Sequence, residues 1–329
     1  MKMPHINQQI HHPELVSDNV LHVVGVVSNP VRFHSRYRLA REWLAHMETI
    51  PHVKPYLVET AFGDRHHEIA TDAANHLKLR SRSETWIKEC MVNLGVRYLL
   101  PRDWSYVAWV DADVEFRDPN WAQESLHQLQ HYAVIQPWQQ CLDLGPTGNV
   151  LQSHQSFGWI QQSRQNMQRP SEARPGATMM DGYPFGHPGF AWAARRDLWE
   201  AMGGLLDHCI LGSGDHHMAW GFAGDVGASI HKKCTAGYRR RCEAWAARAV
   251  RVTHGHVGFC GGRIEHMWHG PKKNRFYQER WQILIDHAYD PDVDLTYDTQ
   301  GLIQLIGKPG LESALRAYNR SRNEDSIDE

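Results

Sequence analysis

The chain has 329 residues, 42% of them hydrophobic and 22% charged, with a net charge of −2. Enough apolar surface exists to offset the entropy of ordering, which excludes a disordered protein. No run approaches the roughly 18 apolar residues that span a bilayer, since the best, Val20 to Val27, is interrupted by His22. Met1 to Leu15 is polar and lacks a signal-peptide core, and the six cysteines form no C-x-x-C pair. A protein with reduced, packing cysteines in the cytoplasm is expected.

Leu21 to Val27 reads as a buried strand that ends at Ser28-Asn29-Pro30. Ala40, Trp43, Leu44 and Met47 then fall on one helical face, predicting a helix over 35–47. Tyr56 to Thr60 is a second strand. Ser81 with Glu84 has the form of a capping box ahead of Trp86, Ile87, Cys90, Met91 and Leu94. Tyr106 to Val110 is a strand that runs straight into Asp111-Ala112-Asp113. Strands alternating with helices predict an α/β fold, a mainly parallel Rossmann-like sheet with helices on both sides. Tyr132 to Gln136 is a further strand, whereas residues 139–184, rich in Gln, Ser, Gly and Pro, read as a long surface excursion. Phe190 to Ala193 returns to strand. Asp197 to Met202 is a short helix stopped by Gly203-Gly204, 243–250 is helical, and Val257 to Ile264 is a strand. Gly301 to Gly310 reads as a turn, and the acidic tail after Asn319 as disordered.

The charge is unevenly spread. Residues 231–280 carry 12 Lys and Arg against 3 Asp and Glu, or +9, while residues 281–329 carry 4 against 10, or −6. A basic block of this density is a candidate site for phosphates. Two carboxylates two residues apart, Asp111 and Asp113, lie just past a buried strand, where ligands of such sheets bind. Hard oxygen ligands there suit Mn²⁺ or Mg²⁺ bridging a diphosphate.

Five segments in order over residues 20–285 resemble a GT-A-fold glycosyltransferase, with galactosyltransferase-like features. Val27-Ser28-Asn29-Pro30-Val31-Arg32 with Arg36 is similar to the nucleotide-base loop, and Glu59 ends the second strand where a base-contacting residue often stands. Trp86 to Gly95 resembles the helix before the metal strand, and Asp111-Ala112-Asp113 the D-x-D motif. Gly203-Gly204-Leu205-Leu206-Asp207 followed by Gly212-Ser213-Gly214-Asp215 resembles the acceptor segment, and His266-Met267-Trp268-His269-Gly270 the late histidine motif. The acceptor segment departs from the family in carrying one carboxylate, Asp215, followed by His216 and His217.

The resemblance implies a single elaborated GT-A domain over 20–285, with a nucleotide-binding half (20–138) and an acceptor half (139–285). A 1–19 extension precedes it and 286–329 follows. It further implies Asp215 as catalytic base, and Asp113 with His269, or His266 in its place, on the metal alongside Asp111. Asn29, Arg32, Arg36, Glu59, Asp111, Lys272 and Arg275 would bind the nucleotide sugar, a UDP-sugar, and Trp192, Gly214 and His216 the acceptor. Trp199, Trp220 and Trp245 are read as core. The overall pattern is similar to bacterial and phage members, including enzymes that glycosylate hydroxymethylated pyrimidines in DNA. DNA is therefore the first expected acceptor, with Arg239-Arg240-Arg241 on its phosphates. A polysaccharide or other glycan is the alternative acceptor. A non-catalytic nucleotide- or carbohydrate-binding module is the alternative from another class.

Overall fold

A computed structural model of the protein describes residues 20–163, 185–277 and 279–328. The expectation for residues 1–19, and for the 164–184 part of the excursion, lies outside the described residues.

The chain begins with β1 (Leu21–Ser28), α1 (His34–Met47), β2 (Val53–Phe62), β3 (His76–Ser81), α2 (Lys88–Leu99), β4 (Tyr106–Val110) and β5 (Val114–Phe116). It continues through α3 (Trp121–Gln128), β6 (Val134–Gln136), β7 (Gln140–Leu144), β8 (Val150–Gln155), α4 (Phe157–Gln162), β9 (Ala191–Arg195), α5 (Arg196–Met202) and α6 (Gly214–Phe222). Then come α7 (Ala236–Thr253), β10 (Gly258–Phe259), β11 (Arg263–His266), α8 (Arg280–Asp286), α9 (Pro291–Asp294), β12 (Leu295–Tyr297), β13 (Ile303–Leu305) and α10 (Pro309–Ser321).

The main sheet has the order β10-β6-β9-β4-β1-β2-β3. Strands β4, β1, β2 and β3 are parallel, as expected, and β9 runs antiparallel between β4 and β6. Side chains of β1 enter two cores. Leu21 and Val23 pack with Trp43 and Met47 of α1 and with α3, whereas Val24 joins α2 and the α5–α7 layer. A strand buried on both faces reads as a near-continuous apolar run, and this one does but for His22, whose buried ring bonds the Tyr56 hydroxyl at 3.0 Å. A smaller sheet, β5-β11-β7-β8, stands beyond the end of β4.

Several local expectations need correction. Ser81 ends β3 and bonds the Ser83 carbonyl, so it caps nothing; α2 starts only at Lys88. The first part of the excursion is a hairpin, β7 with β8, and a helix capped by the Ser156 hydroxyl. The helix expected at 243–250 is one segment of the longer α7, which Thr235 caps. Gly261 and Gly262, the latter at φ 117°, break the strand expected over 257–264 into β10 and β11. The Gly301–Gly310 region contains β13. The acidic tail is ordered and folded back: Glu324 is 2% exposed. Its neighbour Asp325 accepts from the His34 and Ser35 amides at 2.9 and 2.8 Å, capping α1, whose own preceding residue is Phe33.

Gly25 shows how closely α1 lies on the sheet. A Cβ at that position would meet the Trp43 ring at 2.3 Å. The ring is hemmed in by the core, so Gly25→Ala is expected to destabilise the fold by about 1–3 kcal/mol, the usual cost of overpacking. Urea unfolding measures this, and an unchanged midpoint would mean that α1 moves freely over β1.

Candidate active site

The carboxyl ends of β1 and β4 open into a cleft of about 770 Å³. The D-x-D segment leaves β4 with the Asp111 amide on the Phe190 carbonyl at 2.8 Å. It is then joined to the end of β11, because the Met267 amide donates to the Asp113 carbonyl at 2.8 Å and β5 pairs antiparallel with β11. This join carries the Asp113 carboxylate to the two histidines. His269 Nε2 lies 3.0 Å from Asp113 Oδ2 and His266 Nε2 3.8 Å from it, with the two nitrogens 3.2 Å apart. Three donor atoms of one octahedral cation at about 2.1 Å would stand about 3 Å from each other. Asp113 Oδ1 is buried and bonds to nothing among the described residues. The residues present therefore fit a divalent cation, and both histidines are placed to hold one where the sequence left a choice.

A carboxylate behind the cluster fixes one imidazole. β7 runs parallel to β11 with Asp143 opposite His266, and Asp143 Oδ1 accepts from His266 Nδ1 at 2.7 Å. That contact leaves Nε2 turned toward Asp113, the arrangement in which a carboxylate orients a ligating histidine. Asp143 also takes His154 and Lys272. Burial pushes the Asp143 carboxyl up, but hydrogen bonds from His154 and His266 and the charge of Lys272 hold it far below the ordinary range. At Asp113 burial likewise works upward and loses to His266, His269 and Arg275, so the group stays ionised.

Lys88, at the start of α2, pairs with Asp111. Burial lowers its affinity for a proton, yet Asp111 and Asp215 more than restore it, and the ammonium stays charged. Arg36 bonds the Ser28 carbonyl at 2.8 Å and is gripped by Glu324, which also meets Arg322 at 2.6 Å. Arg275 reaches His269 Nε2 at 2.9 Å. Asp215 Oδ1 accepts from the His216 amide at 2.8 Å at the start of α6, and its other oxygen faces Gly189 so closely that a Cβ there would sit 2.8 Å away. Burial depresses His216 to about 4, against the pull of Asp215, so the imidazole is neutral near pH 7.

Of the residues singled out in the sequence, Asn29, Arg36, Asp111, Asp113, Asp215, His216, His269 and Arg275 line this cleft. Five others do not. Arg32, with a left-handed backbone at φ 67°, turns out to pair with Glu68. Glu59 accepts the amides of Glu68, Ile69 and Ala70 at 2.7, 2.9 and 2.6 Å and shapes that loop instead. Lys272 is taken by Asp143. Trp192 is 1% exposed, its indole donating to the Pro188 carbonyl, so it is core and no acceptor platform. Gly214 packs against the Glu89 carboxyl, which a Cβ would meet at 2.5 Å. The sequence reading missed Lys88, Glu89, Asp143 and Glu324. Lys88-Glu89 at the mouth of α2 offered a signal, two charges opening an apolar helix; Asp143 and Glu324 offered none.

No protein-family model matches the chain, and no curated protein matches it in sequence. Its fold is similar to solved structures at low identity. A mutant Drosophila beta-1,4-galactosyltransferase 7 in complex with manganese, UDP-Gal and xylobiose is 12% identical at a TM-score of 0.42, over 90% of this chain and 98% of that one. S. aureus TarS is 11% identical at 0.40, over 80% and 65%. The 4-diphosphocytidyl-2C-methyl-D-erythritol synthase of Anaerococcus prevotii is 8% identical at 0.34, over 74% and 88%. Likenesses this distant carry no argument about activity.

Glu89 supplies a test of the electrostatics. Burial raises its carboxyl from 4.5 to about 8, with Asp215 adding to the rise and Lys88 opposing it. The folded chain thus keeps a proton that the unfolded chain releases. Its contribution to stability is full below the unfolded value and is lost as pH rises through the folded one. Glu89→Gln, neutral at every pH, is expected to melt progressively above wild type as pH climbs through that window. A gap in melting temperature that stays constant with pH would show that Glu89 is ionised throughout.

Proposed function

We propose that the protein is a metal-dependent glycosyltransferase that takes a sugar from a UDP-sugar and places it, with inversion, on an acceptor hydroxyl. The observation that carries this reading is the Asp113–His266–His269 cluster, with its buried and unpartnered Asp113 oxygen, facing one cleft with Asp215. Two imidazoles and a carboxylate favour Mn²⁺ over the oxygen-seeking Mg²⁺. A bound cation supplies neutralisation of the charge that grows on a departing nucleoside diphosphate.

The chain's own residues do the rest. Arg36, Arg275 and Lys88 offer fixed positive donors to the diphosphate, in a partly water-excluded cleft where such contacts are strong. Asn29, which closes the loop after β1 through bonds to Phe33 at 2.8 and 3.0 Å, stands at the end suited to the base and ribose. Asp111 is held by Lys88 and so is assigned to the donor's sugar or ribose rather than to the cation. Asp215 takes the proton of the acceptor hydroxyl as that oxygen attacks the anomeric carbon. His216, neutral near pH 7, gives that hydroxyl a hydrogen-bonding neighbour without competing for charge. For the acceptor we propose a 5-hydroxymethylated pyrimidine in DNA, supported by Lys232 and Lys233, members of the +9 block that line the cleft.

Calorimetry of UDP with Mn²⁺ is expected to show tight binding to the wild type that Asp113→Ala abolishes; equal binding by the variant would remove the metal assignment. Asp215→Asn is expected to bind UDP normally and to lose transfer by about 10²-fold or more, the scale of a positioned general base. Near-normal turnover in that variant would take Asp215 out of the chemistry. Labelled sugar appearing on DNA with 5-hydroxymethylcytosine or 5-hydroxymethyluracil, and not on unmodified DNA, checks the acceptor. Label on neither would leave the transferase without a DNA substrate.

A further inference from the structure

The end of the cleft beyond Asp215 has a chemistry of its own. One wall is the segment 228–233, where His231, Lys232 and Lys233 are exposed, and the other is Trp281 at the start of α8. The rings of His231 and Trp281 are nearly parallel, 16° apart with centroids at 6.1 Å. Trp281 also packs 5.8 Å from the His217 ring, which puts this pair beside α6 and the catalytic carboxylate. Arg280, the residue before Trp281, lines the same cleft and donates to the Ser213 hydroxyl at 2.6 Å, two residues before Asp215.

Two features of this end discriminate among ligands. The carboxylates lining the cleft, Asp111, Asp113 and Asp215, all lie at the metal and catalytic end; none lines this one among the described residues. Lysine and arginine only donate hydrogen bonds, so the wall suits a ligand rich in anionic acceptors and offers little to the donating hydroxyls of a neutral glycan. Neither Lys232 nor Lys233 pairs with a carboxylate among the described residues. By contrast the arginine run that looked most like a phosphate site is already neutralised: Arg240 and Arg241 both bind Asp292 at 2.6 and 2.7 Å, and Arg239 faces Glu243.

We infer that this end is a nucleotide-reading subsite for a nucleic-acid strand, with the His231–Trp281 pair stacking a base and Lys232 and Lys233 receiving backbone phosphates. The inference rests on the proposed transferase reading for its purpose and not for its binding chemistry. A positive groove with an aromatic face is the combination that holds single strands and opened bases. The polar end at Asp215 and the stacking end then lie on either side of one nucleotide, so its substituent is directed to the carboxylate.

Fluorescence anisotropy with a labelled single-stranded oligonucleotide bearing 5-hydroxymethylpyrimidines, titrated against salt, tests this on the full chain. Lys232→Ser with Lys233→Ser is expected to flatten the log–log salt slope by about 1.4, that is about 0.7 per lost phosphate contact on a single strand. His231→Ala and Trp281→Leu should leave the slope alone and weaken binding roughly fivefold or more, the scale of one base–aromatic stack. Both lysines and His231 are exposed, so those variants keep the fold even if Trp281→Leu does not. Arg240→Ser should change neither quantity. An unchanged slope in the lysine variant would overturn the inference. So would equal affinity for a base-free phosphodiester polymer such as poly(glycerol phosphate). UDP and Mn²⁺ calorimetry on the wild type separates the two ideas: absent UDP binding with the expected DNA pattern removes the transferase and keeps the subsite.

Discussion

The hydrogen bond from the Met267 amide to the Asp113 carbonyl ties together two parts of the chain that come from different sheets. The Asp113–His266–His269 cluster depends on that tie and on the β5–β11 pairing beside it. β4 ends in the main sheet and β11 in the small one, and without the backbone link the carboxylate of one would have no reason to meet the imidazoles of the other. The link costs nothing in side chains, because backbone groups that must be satisfied anyway make it. It also sets direction. β5 turns back antiparallel to β11, so Val114 and His266 are opposite, and Asp113 is left pointing across the end of the strand.

Charge in the cleft is sorted rather than mixed. Each carboxylate around the cluster has a counter-charge of its own: Asp111 has Lys88, Asp143 has Lys272, and Glu324 has Arg36 and Arg322. Asp113 is different, since one of its oxygens finds only imidazole and the other finds nothing. A buried oxygen left without a partner is expensive in a folded protein, which is why its neighbours matter more than its sequence motif.

The sheet was legible because it is buried on both faces, so β1, β2 and β4 could not avoid being apolar runs bounded by turn residues. Asp113 and Asp215 were legible because one stands just past the end of a buried strand and the other in the first turn of a helix. What escaped was long-range. Asp143 looks like any polar residue of a half-buried strand until β7 is laid beside β11. Glu324 sits in a run of acidic residues that local composition assigns to solvent. Glu59 and Lys272 misled for the same reason in reverse: their positions suited a ligand, and a loop amide or a buried carboxylate claimed them first. Trp192 was misplaced because Gly189 and Phe190 line the cleft, whereas the left-handed backbone of Phe190 precedes β9 and the Trp192 ring, on the face opposite Ala191 and Ala193, enters the core.

The return of Glu324 and Asp325 to α1 has a consequence for how the chain is made. Arg36 is synthesised early, on the first helix, and its carboxylate partner belongs to the far end of the sequence. A ribosome releases the sheet, both halves of the cleft and the histidine pair before it releases Glu324. Until then Arg36 and the first turn of α1 face water or the wrong anions, and that side of the cleft stays unfinished. A nascent chain would thus complete this side of the cleft only when Glu324 and Asp325 close over α1, acting as a clasp.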